Sequence, residues 1–235
     1  MNTIKVPIII ETQCGTVTLI DIMPKEYTSE ILKCDEAIVQ SARVSYGQQS
    51  KGDKADASLV KYLIENDHGT PTESVIFKFH IKCPIFVQRH IVKHRMSTMN
   101  EISARYTVVS DEWYIPNPMR QQSINNRQAS QGELQGSRNQ QLTEEFNNHC
   151  QEIYKFYRKM IDSGVAKEQA RSILPQAMYT QFYFTLNLRS VMNFCKLRNS
   201  PDAQWETQQI AQAIEKIIKQ TNPVSYEIFR NKNHK

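Results

Sequence analysis

Apolar side chains recur along this chain with two periods, and the switches between them predict its elements. Near the start, the β-branched runs Val6 to Ile10 and Thr16 to Asp21 flank Gln13-Cys14-Gly15 and predict a hairpin. Helical spacing follows over Ser29 to Ser45 and over Ala55 to Asn66. Val75 to Ile81 reads as a strand, and Tyr179 to Leu186 alternates aromatics with threonines before Asn187. Leu142 to Ser163, Ala166 to Ile173, Leu188 to Leu197 and Ala203 to Gln220 return to the helical period. In the last of these, Ile210, Ile214, Ile217 and Ile218 form an apolar stripe that belongs in the core. Arg120 to Gln141 is poor in apolar residues and biased toward Gln, Asn and Ser, so an exposed polar loop or insertion is expected there. Without an internal repeat or a linker, the pattern predicts one α+β domain over residues 1–235, helix-rich, with a small and mostly antiparallel sheet.

The segment after Pro84 changes the picture from fold to chemistry. Pro84 suits a first helical turn, and Ile85, Phe86, Val87, Ile91 and Val92 fall nearly all round the wheel, which predicts a mostly buried helix to about residue 95. Arg89, His90, Lys93 and His94 would share one arc of it at roughly 100° per residue. Arg89 and Lys93 would then repel as an i,i+4 like-charge pair, the more so if buried. Arg89 to Tyr106 holds four Arg and Lys residues and two of the six His, and includes Asn100, Glu101 and Ser103. That composition outlines a site for a polyanion. A solvated basic face is the plainer reading, and the apolar residues between the cations argue against it. His90 and His94 also have the HxxxH spacing of a zinc pair, but no Glu follows the first His and neighbouring cations would repel a dication, so no metal is expected.

Bulk composition narrows the classes. The 235 residues supply ample core, and no stretch reads as a signal peptide or a membrane span. Cys14, Cys34, Cys83, Cys150 and Cys195 are odd in number and lack CxxC spacing, which fits a reducing, cytoplasmic setting. The net charge of +5 is mild. None of the seven glycines forms GxGxxG or GxxxxGK[ST], so any nucleotide must be held by side chains.

Lys93-His94-Arg95, seven residues, then Ser103, within the run HRMSTMNEISARY from His94 to Tyr106, resembles the signature of the flavin-dependent (alternative) thymidylate synthases, whose pattern is RHR, seven residues, Ser. Further blocks stand in family order: Ala42 to Tyr46, His68 to Glu73, Arg171, Asn187 to Ser190 with Asn193, Arg198, and Ala203 to Glu206. The resemblance implies reductive methylation of dUMP to dTMP, with FAD as cofactor, NADPH as reductant and methylenetetrahydrofolate as one-carbon donor. It also implies a homotetramer whose subunits share active sites. Carried over by position, Ser45, Thr70, Lys93, His94, Arg95, Glu101, Asn187, Arg189 and Asn193 match flavin-contacting positions. Arg89, His90, Glu101, Ser103, Arg105 and Arg171 match positions around dUMP, and Arg198 matches the arginine that polarises the uracil.

Lys93 departs from the family's usual Arg and loses a bidentate fork; Asp202 stands where a His is common. The rivals are a folate-only thymidylate synthase using Cys83 as nucleophile, and a nucleic-acid surface with Tyr106 and Trp113 stacking bases. The first lacks its surrounding motifs. The second requires cations along an exposed face, whereas here they are interleaved with apolar residues and followed by Asn100 and Glu101, so no nucleic acid is expected.

Overall fold

The computed structural model describes residues 1–47 and 49–233. In chain order its strands and helices are β1 (Asn2–Thr3), β2 (Ile8–Thr12), β3 (Gly15–Met23), β4 (Glu26–Tyr27), α1 (Glu36–Arg43), α2 (Asp53–Glu65), β5 (Ile76–Pro84), α3 (Ile85–Ile91) and β6 (Thr98–Glu101). There follow β7 (Arg120–Gln122), β8 (Ser130–Glu133), α4 (Ser137–Asp162), α5 (Lys167–Ala170), β9 (Tyr179–Asn187), α6 (Leu188–Arg198), α7 (Trp205–Thr221) and α8 (Pro223–Asn233). One five-stranded sheet of order β2-β3-β5-β9-β6 is antiparallel at every pairing, so the α+β expectation holds.

The sheet follows from the period-two pattern. On β5, Phe77, Phe79, Ile81 and Cys83 are buried; on β9, Thr180, Phe182, Phe184 and Leu186 are. Against this face pack α6, through Val191, Phe194 and Cys195, and α7, whose Ile210, Ile214, Ile217 and Ile218 stripe is core as read. Each such large apolar side chain contributes about 2 kcal/mol relative to exposure. The predicted hairpin is β2 with β3, and Gly15 has a necessity of its own: a Cβ there would lie 1.9 Å from the Lys82 carbonyl oxygen of β5.

Four expectations need correction. The basic helix stops at Ile91 instead of reaching 95, because the next helical-period positions are His94 and Arg95, with nothing apolar to bury. Lys93 and Arg95 therefore leave the helix and are exposed, as is Arg89, while His90 and His94 are half-buried. The polar 120–141 segment is exposed over most of its length but is not a loop: β7 and β8 pair as a hairpin, and α4 begins at Ser137. Ser29 to Ser45 is shortened to α1 with 3-10 turns at both ends.

Helix α8 lies beyond the last helix that the pattern predicts, since Val224, Tyr226 and Ile228 alternate like a strand. Its first turn is held from elsewhere. The buried Asp35 carboxyl accepts from Asn222 Nδ2 (3.0 Å), the backbone N–H groups of Val224 (3.0 Å) and Ser225 (3.1 Å), and Ser225 Oγ (2.6 Å). These satisfy N–H groups that a helix start leaves without intrahelical partners.

Candidate active site

Strand β9 runs directly into α6, and the side chain of Asn187 caps that junction by accepting from the Ser190 N–H at 2.9 Å. This delivers Arg189 onto the turn formed by Thr70–Ser74, where its Nη1 meets Glu73 Oε1 at 2.8 Å. Gly69 leaves room for that approach: a Cβ would lie 2.5 Å from the Arg189 guanidinium, the mobile end of an exposed side chain. Two blocks separated by 116 positions thus form one polar surface, with Thr70 and, one turn along α6, the exposed Asn193. Helix α1 also packs on this turn, and Ser45 lies exposed just past the end of α1.

The other end of α6 carries Arg198. Its Nε donates to His94 Nε2 at 2.9 Å, and its Nη2 donates to the His90 carbonyl oxygen at 3.2 Å. The His94 ring meets Phe194 edge-on, with centroids 4.8 Å apart. Burial first, and then the Arg198 charge, pull His94 down to about 4, so at neutral pH the imidazole is uncharged and free to accept. The same two causes lower His90, and burial lowers Arg198. Arg189 and Arg198 are nine residues apart, which places them on opposite sides of α6 and roughly 14 Å apart along its axis. Within one chain, most positions matched to flavin contacts therefore fall into two clusters at opposite ends of α6, and Glu101, on β6, belongs to neither.

A third cluster lines a cleft of about 870 Å³ between α3, β9 and the Glu168–Gln176 region. Arg89, Glu101 and Arg171 line it; Ser103 and Arg105 lie on the adjoining chain. Ser103 Oγ accepts from the Arg105 N–H at 3.2 Å, and Arg105 pairs with Glu168 at 3.2 Å. Lys82 at the rim is neutralised by Glu112 at 2.6 Å. Among the described residues, the side chains of Arg89, Lys93, Arg95 and Arg171 make no ion pair and no hydrogen bond. Unpaired guanidiniums bordering a cleft suit the oxygens of a phosphate.

Gln88 and Thr180 are participants that motif reading passed over: both are buried and both bond Glu101, at 3.2 and 2.6 Å. The signal was present, since Thr180 is a hydroxyl on the apolar period of Phe182 and Phe184, and Gln88 is an amide between Val87 and Ile91. The rivals fare differently. All five cysteines are buried; burial pushes Cys14 up to about 11 and Cys34 to about 12, and raises Cys83, Cys150 and Cys195 as well, which opposes thiolate formation. The cations Arg89, Lys93 and Arg95 and the ring of Tyr106 are exposed, as a nucleic-acid surface requires, but Trp113 is engaged with Asn147 through its indole N–H at 3.0 Å and lies beside Tyr154, so it is no open stacking platform. No helix among the described residues is long and apolar enough to cross a membrane.

Comparison with known proteins agrees with this arrangement. The family described as Thymidylate synthase complementing protein matches residues 27–224. A flavin-dependent thymidylate synthase of Kosmotoga olearia is 45% identical over 86% of this chain and 88% of its own, and one from Thermosipho melanesiensis is 41% identical over 94% and 93%. Among solved structures, a UMP/dUMP methylase, PolB from Streptomyces cacaoi bound with 5-Br dUMP, superposes with a TM-score of 0.80 at 30% identity, covering 92% of this chain and 95% of that one. With the motif blocks gathered around α6 and the cleft, and with identity of this order along nearly the whole length, the chain belongs to the flavin-dependent thymidylate synthase family.

Proposed function

We propose that this protein methylates dUMP to dTMP, with methylenetetrahydrofolate as one-carbon donor, FAD as cofactor and NADPH as reductant. The observation that carries the reading is the set of partnerless cations, Arg89 and Arg171 at the cleft and Lys93 and Arg95 flanking His94, the partner of the half-buried Arg198. dUMP brings a phosphate dianion and FAD a pyrophosphate, and both need such donors where no glycine-rich loop exists. Arg89, His90, Glu101, Ser103, Arg105 and Arg171 hold the nucleotide in this reading. Ser45, Thr70, Lys93, His94, Arg95, Glu101, Asn187, Arg189 and Asn193 hold the flavin.

The spread of the flavin set over both ends of α6 and, through Glu101, the cleft fits FAD when subunits share sites, and a homotetramer of that design is part of the proposal. Asn187 contributes its amide Nδ2, because its Oδ1 is committed to the helix cap. Arg198 is the electrophilic aid. Its Nε and one Nη2 hydrogen are held by His94 and the His90 carbonyl, which leaves three of a guanidinium's five N–H donors for the uracil edge, where negative charge develops as C5 is activated. When bound and reduced, FAD would supply the hydride that completes the methyl group.

Titration of the purified protein with FAD, followed by visible absorption and flavin fluorescence, tests the cofactor assignment. Saturable quenching with a perturbed flavin spectrum is expected. Absence of binding by both fluorescence and calorimetry would overturn it.

A further inference from the structure

We infer that Gln88 and Thr180 are positioning residues that hold Glu101 open for the nucleotide, an inference that rests on the dUMP reading of the cleft. Glu101 ends β6 and is exposed at the cleft, yet each of its carboxylate oxygens already has a donor from another element. Thr180 Oγ1 of β9 donates to Oε1 at 2.6 Å, and Gln88 Nε2 of α3 donates to Oε2 at 3.2 Å, with Met99 Sδ also 3.3 Å from that amide nitrogen. Thr180 is 5% exposed and Gln88 7%, so both donors are rigidly packed.

The chemistry of the cleft explains why a clamp matters. Arg89 and Arg171 line the same space, and a carboxylate on a free side chain would be drawn to them. An internal ion pair would remove the cations needed by a phosphate and the acceptor needed by the rest of the nucleotide. Two neutral donors fix the carboxylate without cancelling its charge, and each oxygen keeps acceptor capacity for a ligand hydroxyl or N–H. Backbone pairing adds to the restraint: Glu101 stands opposite Phe182 on β9, and the Ile102 N–H donates to the Gln181 carbonyl at 3.0 Å.

The test uses the full-length FAD-loaded enzyme with dUMP as probe. Thr180→Val and Gln88→Met remove one donor each at similar volume and should each weaken dUMP binding about tenfold, the scale of one hydrogen bond to a charged group, with KM affected more than kcat. Thr180→Ser should restore binding. In a Glu101→Gln background, Thr180→Val and Gln88→Met should add little further loss, because their target is gone. Failure of the unmodified enzyme to bind dUMP would overturn the reading of the cleft itself. Tight dUMP binding to the unmodified enzyme, with undiminished affinity in both donor-deleted variants, would overturn the clamp alone. So would losses that persist in full in the Glu101→Gln background, since those would report general packing.

Discussion

Arg198 and His94, 104 residues apart in sequence, share a hydrogen bond of 2.9 Å in which the guanidinium donates and the imidazole accepts. The bond joins the last turn of α6 to the loop after α3, and with the His90 carbonyl it fixes the plane of the guanidinium. Arg198→Lys keeps a positive charge but cannot satisfy two anchors and still present a planar edge. The variant should lose on the order of one hundredfold in dTMP formation while NADPH oxidation by bound flavin is largely retained. Parallel assays of both reactions check this; an unaffected rate of dTMP formation would remove Arg198 from the chemistry.

The pairing also ties stability to pH. His94 sits at about 4 in the folded chain against 6.5 as a free group, so the unfolded chain takes up a proton that the folded one refuses. Its contribution is present above pH 6.5 and lost as pH falls toward about 4. Urea denaturation from pH 4.5 to 7.5 should show wild type weakening toward acid more steeply than His94→Gln. Parallel curves for the two proteins would contradict the assignment of a neutral, half-buried acceptor.

Asp35 has the opposite sign. Burial outweighs its four hydrogen bonds and raises it from 3.8 to about 6, so its contribution is present below pH 3.8 and lost as pH rises through about 6. Asp35→Ala leaves the donors at the start of α8 without their acceptor, and the expected loss is about 3 kcal/mol. Thermal unfolding should show a midpoint lower by on the order of 10 °C. The cost should be greater at pH 4 than at pH 7.

Cys83→Ser separates the two thymidylate chemistries. Cys83 is fully buried at the end of β5, and burial holds its thiol well above the ordinary range. The variant should keep dTMP synthesis, with some loss of stability from a buried hydroxyl. A folded but chemically dead protein would revive an enzyme thiolate as nucleophile.

Long, strongly periodic elements were legible in the sequence. The Ile210 to Ile218 stripe and the Tyr179 to Leu186 alternation state their own geometry, because each apolar position has a partner layer to bury it. The basic segment misled for a related reason: charge pattern and the first two turns predict a helix to 95, but continuation depends on what the next turn can bury, and His94 finds Arg198 instead. The 120–141 hairpin is tied down by side chains far away in the chain, with the Arg120 guanidinium bonded to Glu206 and stacked on Trp205 at 4.6 Å, and Asn126 bonded to Asp202 at 3.0 Å. Such pairings across 76 and 86 positions leave no trace in local composition. The candidate site residues stand in motif blocks that the sequence displays, whereas Gln88 and Thr180 belong to no block and emerge only where their donors meet Glu101.

The central claim is tested most directly by a single turnover. Protein loaded with FAD and reduced by NADPH under anaerobic conditions is mixed with dUMP and methylenetetrahydrofolate, and both flavin absorbance and product are followed. Reoxidation of the flavin with formation of one dTMP per flavin is the predicted result. Bound, reduced flavin that yields no dTMP with both substrates present would contradict the account.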